Sequence, residues 1–356
     1  MLEHGGRLRV AAARYGIPLA DWLDLSTGIN PCAWPVPAVP ASAWLRLPQD
    51  NDGLEAAACA YYGTEHLLPV AGSQAAIQAL PPLRPPCRVG VLHPGYAEHA
   101  HAWRRARHTV TSVSAKELND IVPQTDVLVL INPNNPTGAR FTADQLLHWH
   151  AQLAARGGWL VVDEAFMDAA PEESLARFCP RLGLIVLRSL GKFFGLAGAR
   201  VGFVFAEPVL LDQLYAHLGP WTVTAPSRWV ATQALADFPW QQTARRRLAL
   251  DSERLAFLLK CHGFTPHGGC ALFQWVCSPH ASEFHDRLAR RGILTRRFDD
   301  AQGHASVAKH KGLIFGSRMP GATDPPSLRF GLPGDETGWA RLDAALQALS
   351  DATICA

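Results

Sequence analysis

Long apolar stretches are missing from this 356-residue sequence. No window approaches the roughly 18 uncharged apolar residues of a membrane-spanning helix. The opening residues, MLEHGGRLRV, carry charges where a secretion signal needs an apolar centre, so a cytoplasmic protein without a membrane partner is expected. An excess of one charge is missing too. Lys+Arg of 33 against Asp+Glu of 31 leaves a net +2 with no basic block, which argues against nucleic acid as a partner. Paired cysteines are absent: Cys32, Cys59, Cys87, Cys179, Cys261, Cys270, Cys277 and Cys355 form no C-x-x-C. The densest group, Cys261 to His280, lacks the paired short spacings of a zinc site, and its centre at 271–276 reads as a strand. Reduced, mostly buried thiols and no metal are therefore expected.

Hydrophobic content of 48% with 18% charged residues describes a globular chain rather than a disordered one. The length exceeds the needs of one core, which suggests a large domain with a smaller one. The expected division is an N-terminal arm and small-domain segment at 1–40, a large ligand-binding domain at 41–240 and a C-terminal small domain at 241–356. Pro31 to Pro40 reads as a proline-rich crossing. Helices are expected near 8–15, closed by Gly16, at 52–62, and at 142–156 with Thr142 as cap. A long helical region at 227–259 should break near Phe238-Pro239-Trp240. A final amphipathic helix carries Trp339, Leu342, Ala345, Leu346 and Leu349. Residues 301–326, polar and rich in glycine and proline, read as an insertion or mobile loop.

Four apolar runs repeat one design. The run at 89–92 ends at His93-Pro94-Gly95-Tyr96, that at 126–131 at Asn132-Pro133-Asn134-Asn135-Pro136-Thr137-Gly138, and that at 159–162 at Asp163-Glu164-Ala165-Phe166. The run at 184–187 ends at Arg188-Ser189, three residues before Lys192. Buried strands alternating with helices predict a mostly parallel sheet, which binds ligands at the carboxyl ends of its strands. A lysine among apolar neighbours is costly to keep charged, and its neutral amine can form a Schiff base. Ser189 and Arg200 offer a hydroxyl and a bidentate cation to one phosphate. Gly72-Ser73-Gln74 leads into a helix whose free N–H groups suit an anion. Each piece has a blander reading alone: a strand-end lysine, a surface arginine, an ordinary helix start. Their joint order is what carries weight.

Taken in order, Gly72-Ser73, Tyr96, Asn135-Pro136-Thr137-Gly138, Asp163, Ser189-x-x-Lys192, Arg200 and Arg329 resemble the fold-type-I pyridoxal-phosphate enzymes of the aminotransferase class I/II group, over nearly the whole chain. The resemblance implies an α/β fold, with a mostly parallel central sheet sandwiched by helices and a smaller α/β second domain. It implies pyridoxal 5'-phosphate as cofactor and a homodimer. Lys192 would then hold the cofactor, Asp163 would pair with its ring nitrogen, Asn135 would donate to its phenolate oxygen and Tyr96 would stack on its ring. Gly72, Ser73 and Gln74 would hold its phosphate with Ser189 and Arg200, and Arg329 would grip an amino-acid carboxylate.

Within the group, NPNNPTG is similar to histidinol-phosphate aminotransferases. HGG at 4–6, LSTGINP at 25–31, RGILTRRF at 291–298 and LRFGLPGDE at 328–336 look like the threonine-phosphate decarboxylases of cobalamin biosynthesis. That likeness implies a carboxy-lyase taking a small phosphorylated amino acid, L-threonine O-3-phosphate, to (R)-1-aminopropan-2-yl phosphate. His4, Gly28 and Asn30 would help enclose the substrate. The alternative is an aminotransferase acting on histidinol phosphate or a related amino acid. A regulator that binds without turnover would carry a basic DNA-binding extension, for which the arm is too short. Three departures stand out: Phe166 where a tyrosine is usual, Arg46-Leu47-Pro48 where the group often has Arg-Tyr-Pro, and no clean match for a second substrate-phosphate arginine. Arg296, Arg297 and Arg318 are the candidates for that arginine.

Overall fold

The computed structural model describes residue 2 and residues 4–298 and 326–354. Arg318 and most of the stretch read as an insertion at 301–326 lie outside the described residues. In chain order the strands are β1 (Leu23–Asp24), β2 (Leu67–Val70), β3 (Arg88–Leu92), β4 (Thr109–Val113), β5 (Val127–Ile131), β6 (Trp159–Asp163), β7 (Leu184–Ser189), β8 (Gly202–Phe205), β9 (Gly268–Cys270), β10 (Phe273–Cys277), β11 (Ile293–Leu294), β12 (Arg296–Phe298) and β13 (Ser327–Gly331).

Seven of these make the central sheet, in the order β2-β8-β7-β6-β5-β3-β4. Neighbours from β7 through β4 pair in parallel, whereas β8 runs antiparallel to both β7 and β2. The strands β5 and β7 are buried along their whole length, as a sheet covered on both faces requires. One apolar layer packs Phe203, Phe205, Val162, Leu128 and Leu130 under the helices on one side. The other packs Val89, Val91, Val129, Val161 and Ile185. Parallel pairing sets the ends of β3, β5, β6 and β7 along one edge, so the turns after Leu92, Ile131, Asp163 and Ser189 meet there.

The expected helix at 142–156 is Ala143–Ala154, started by a capping box in which Thr142 accepts from the Gln145 amide and Gln145 reaches back. The break in the long helical region falls at Asp237, between helices Ala225–Ala236 and Phe238–Cys261. The Asp237 carboxylate caps the second by accepting from the Trp240 amide. This second helix is continuous across residue 240, the expected domain boundary. Its later part packs on β10, in the four-stranded antiparallel sheet β12-β13-β10-β9. The N-terminal arm joins this second layer: β1 pairs in parallel with β11, and the Gly331 amide donates to the Leu25 carbonyl. The last helix is Glu336–Ile354. Among the described residues no helix is long and apolar enough to cross a membrane, no group of three His, Cys, Asp or Glu could hold a metal, and the seven cysteines are free thiols.

Candidate active site

The carboxyl edge of the sheet gathers the charged and polar groups. Asp163, the last residue of β6, is 3% exposed. Its Oδ1 accepts from the Ala165 amide at 3.0 Å, and its Oδ2 lies 3.0 Å from His99 Nε2. His99 is itself buried, one helical turn after Tyr96, and the two rings meet edge to face. Three residues beyond β7, Lys192 keeps part of its surface open while its amine lies deep. Burial, then the Arg329 guanidinium, lowers the amine to about 8, against the pull of Asp163. Its Nζ stands 5.5 Å from the centre of the Phe166 ring.

Arg329 comes from the other layer, at the middle of β13, and reaches this edge. It is 4% exposed. Nη1 donates to Asn135 Oδ1 at 2.5 Å and Nη2 to the Ser26 carbonyl at 2.6 Å. Its Nε has no hydrogen-bond partner, and no carboxylate pairs with it among the described residues. Burial, then Arg296, lowers the guanidinium to about 10, so the site disfavours an uncompensated cation. Arg329 does not pair with the nearby Asp335, whose carboxylate accepts from the Gly338 amide. Because Arg329 occupies the Asn135 oxygen, the Asn135 amide is turned with its NH₂ as the remaining donor.

The Gly72-Ser73-Gln74 segment, expected to hold an anion, lies at the sheet's other flank. Gly72 sits at a φ of +74, and a Cβ there would come within 2.5 Å of Arg200 Nη2. Only glycine lets this guanidinium lie against the backbone opening into helix Ser73–Ala79. Arg200 is exposed and holds itself with one bond, Nη1 to the Ala197 carbonyl. Ser189 Oγ, at the end of β7, accepts from the Gly191 amide. Tyr96 donates from its hydroxyl to Gln74 Oε1 at 3.1 Å, and burial, then Glu98, pushes its phenol up to about 12.

His4 folds over this region: its Nε2 lies 2.8 Å from Glu98 Oε1, and its ring is 5.9 Å from that of Tyr96. At Gly28 a Cβ would stand 3.3 to 3.6 Å from Phe273, Phe166 and Arg329, so this backbone forms part of the same wall. Asn30 behaves differently. It is 1% exposed, and its amide bonds within the chain, to the Phe193 carbonyl on one side and to the Cys32 amide and Arg247 on the other.

Below the edge lies a buried ion cluster that the apolar run at 184–187 gave no hint of. Arg188, wholly buried, donates to Glu164, Asp168 and Ser174. It ties the chain just after Asp163 to the strand that leads to Lys192. Arg188, His99 and Arg247 were not singled out from sequence. A sign was available for His99, which lies three residues after Tyr96 and so on the same helix face.

The aminotransferase class I and II family model matches residues 45–303. A threonine-phosphate decarboxylase from Pseudomonas aeruginosa is 57% identical over 346 residues, covering 97% of each chain. The L-threonine-O-3-phosphate decarboxylase from Porphyromonas gingivalis superposes with a TM-score of 0.71 at 18% identity, over 92% of this chain and 99% of that one. The histidinol-phosphate aminotransferase from Sinorhizobium meliloti, solved with pyridoxal-5'-phosphate, superposes at 0.78 with 19% identity, over 97% and 94%. Both superpositions speak for the fold, and the near full-length identity speaks for kinship. The chain belongs to the class I and II aminotransferase family, within its threonine-phosphate decarboxylase branch.

Proposed function

We propose that this protein decarboxylates L-threonine O-3-phosphate to (R)-1-aminopropan-2-yl phosphate with pyridoxal 5'-phosphate, for cobalamin biosynthesis. The observation that carries the reading is Arg329. A buried guanidinium with an unpartnered Nε and no carboxylate paired with it among the described residues is poised for an anion from outside, and an amino-acid carboxylate matches its fork. The 57% identical relative bears the name of this activity.

The residues present fit the cofactor. Lys192 has the lowered amine that a covalent carrier needs. Asn135 keeps a free NH₂ donor, and Asp163 is a buried carboxylate with one oxygen braced by a backbone amide. The glycine cradle at Gly72 opens on Arg200. Lys192 would hold the aldehyde carbon, Asp163 the ring nitrogen and Asn135 the phenolate oxygen. Ser73, Gln74, Ser189 and Arg200 would hold the phosphate, with Tyr96 against the ring. When bound, pyridoxal phosphate supplies an electron sink for the pair left behind as the carboxylate departs.

The chain's own part is orientation and proton custody. Arg329 fixes the substrate carboxylate while Asn135 and Ser26 fix Arg329. Phe166 and Phe273, edge to face at 5.2 Å, keep water from the departing group. Lys192, with its amine near 8, can deliver a proton from Nζ at neutral pH. His4 and the backbone at Gly28 would enclose the substrate. Trp44, Leu45 and Leu47 stand 67%, 82% and 63% exposed on and beside helix Ala41–Leu45. We take this apolar surface as where a second copy docks in a cytoplasmic homodimer.

The test is a two-arm assay. Protein is incubated with L-threonine O-3-phosphate, and separately with histidinol phosphate plus 2-oxoglutarate. Stoichiometric carbon dioxide in the first arm and no glutamate in the second are expected. Glutamate formation without carbon dioxide would make the protein an aminotransferase.

A further inference from the structure

Lys192 sits on a turn, not on a strand or helix, and within that turn its carbonyl accepts from the Gly195 amide at 3.2 Å. Three carbonyls in succession, of residues 192, 193 and 194, also accept from one short piece of the N-terminal arm. The Asn30 amide donates to the Lys192 carbonyl at 3.0 Å, Asn30 Nδ2 to the Phe193 carbonyl at 2.8 Å, and the Trp34 amide to the Phe194 carbonyl at 2.9 Å. The two segments touch so closely that a Cβ at Gly195 would fall 2.5 Å from Ala33 Cβ and 2.9 Å from the Asn30 carbonyl oxygen.

The orientation of the Asn30 amide is itself enforced. Oδ1 receives the Cys32 amide at 3.0 Å and Arg247 Nη2 at 3.0 Å, and the same Nη2 reaches the Cys32 carbonyl at 3.1 Å. With two donors on the oxygen side, the NH₂ can only face Phe193. Arg247 projects from helix Phe238–Cys261, and Asp251, one turn further on, stands 3.9 Å from its Nε, beyond hydrogen-bond reach. A charged donor on a buried amide gives a stronger bond than a neutral one.

We infer that Asn30 and Arg247 are positioning residues that lock the turn carrying Lys192, and that Asn30 acts on the reaction through this turn rather than by touching the substrate. The inference rests on the reading of Lys192 as the cofactor carrier. The groups facing the Lys192 amine are Arg329 from β13, Asp163 from β6, Arg200 from the turn before β8 and Cys270 from β9. A loosened turn lets the amine drift among them and toward water. Displacement of a reacting group by about 1 Å can cost on the order of a hundredfold in rate.

Two variants separate this role from a structural one. Asn30→Asp keeps the size and both contacts on the oxygen side but turns an acceptor toward the Phe193 carbonyl. Arg247→Met removes the guanidinium from a side chain only partly buried and leaves the Asn30 amide in place. In holoenzyme, both should lower kcat roughly tenfold or more, with KM within about twofold. Both should also shift the pH midpoint of the bound cofactor's visible absorbance, because the nitrogen that titrates moves relative to these charged groups. A fall in melting temperature with kcat and midpoint unchanged would reduce the contacts to scaffolding and overturn the inference. A rise in KM alone in Asn30→Asp would overturn it too, since it would put Asn30 on the substrate. If Asn30→Asp does not fold, Arg247→Met decides by the same two readouts. Borohydride labelling of wild-type holoenzyme keeps the two failures apart. A label on Lys192 with unaltered variants sinks this inference alone, whereas a label on another lysine sinks the functional reading beneath it.

Discussion

Arg329→Lys is the most informative single change at the substrate side of the site. The guanidinium makes two bonds with different nitrogens, to Asn135 and to the Ser26 carbonyl, and retains Nε for a further partner. A lysine head cannot hold both neighbours and still offer a fork. Loss of one charge-assisted bond to the substrate carboxylate costs about 1.5–3 kcal/mol, which is roughly a 10- to 150-fold rise in KM. The site also penalises positive charge, bringing arginine itself to about 10. A lysine there would meet the same penalty from a lower starting point and lose its proton at lower pH than the arginine does. The variant should therefore bind substrate progressively more weakly as pH rises, while wild type keeps its cation. kcat should fall less, through an Asn135 amide no longer held in place. Steady-state kinetics with threonine phosphate between pH 6.5 and 9, beside a cofactor titration, read all of this. Wild-type KM across the range, with cofactor binding intact, would refute the assignment of Arg329 to the substrate.

Other consequences follow from the same contacts. Lys192 has a proton affinity lowered from the unfolded value to about 8, so the unfolded chain binds more protons between pH 8 and 10. Its contribution therefore makes cofactor-free protein more stable as pH rises through that window. Lys192→Met should abolish turnover yet stabilise the cofactor-free protein at pH 7 by up to about 3 kcal/mol, a gain that fades by pH 10 in urea titrations. Asp163→Asn should keep the cofactor but lose at least about tenfold in kcat, since a one-unit pKa change at the ring nitrogen is already about 1.4 kcal/mol; near-normal turnover would remove Asp163 from that role. Arg188→Met leaves Glu164 and Asp168 buried without their cation and should destabilise by about 3–5 kcal/mol, with much of the loss recovered when Glu164→Gln and Asp168→Asn are added.

Much of the sheet was legible because β3, β5, β6 and β7 are nearly unbroken apolar runs, each ending in the polar residues that line the site. Two strands were not. β4, TVTSV, is mostly polar on the sheet's edge, and β2 carries a proline, so neither stands out by apolar content. The antiparallel direction of β8 was hidden as well, since a buried run looks alike in either direction. Charges gave the larger surprises. Arg188 looked like the polar end of a strand, but β7 continues through Ser189, and two carboxylates distant in sequence make its burial tolerable. Asn30 falls in LSTGINP, whose family likeness implied a place around the substrate. Only the fold reveals that its amide faces the Lys192 turn. Arg329 was proposed because LRFGLPGDE resembles a family pattern, while its lack of a carboxylate partner among the described residues is a fact of packing that no motif encodes.

The most direct test of the account is chemical labelling at the lysine. Holoenzyme reduced with borohydride, digested and analysed by mass spectrometry should carry one pyridoxyl group on the peptide containing Lys192, and carbon dioxide release from threonine phosphate should stop in proportion to the label. A label on any other lysine, or decarboxylation that persists in fully labelled protein, would contradict it.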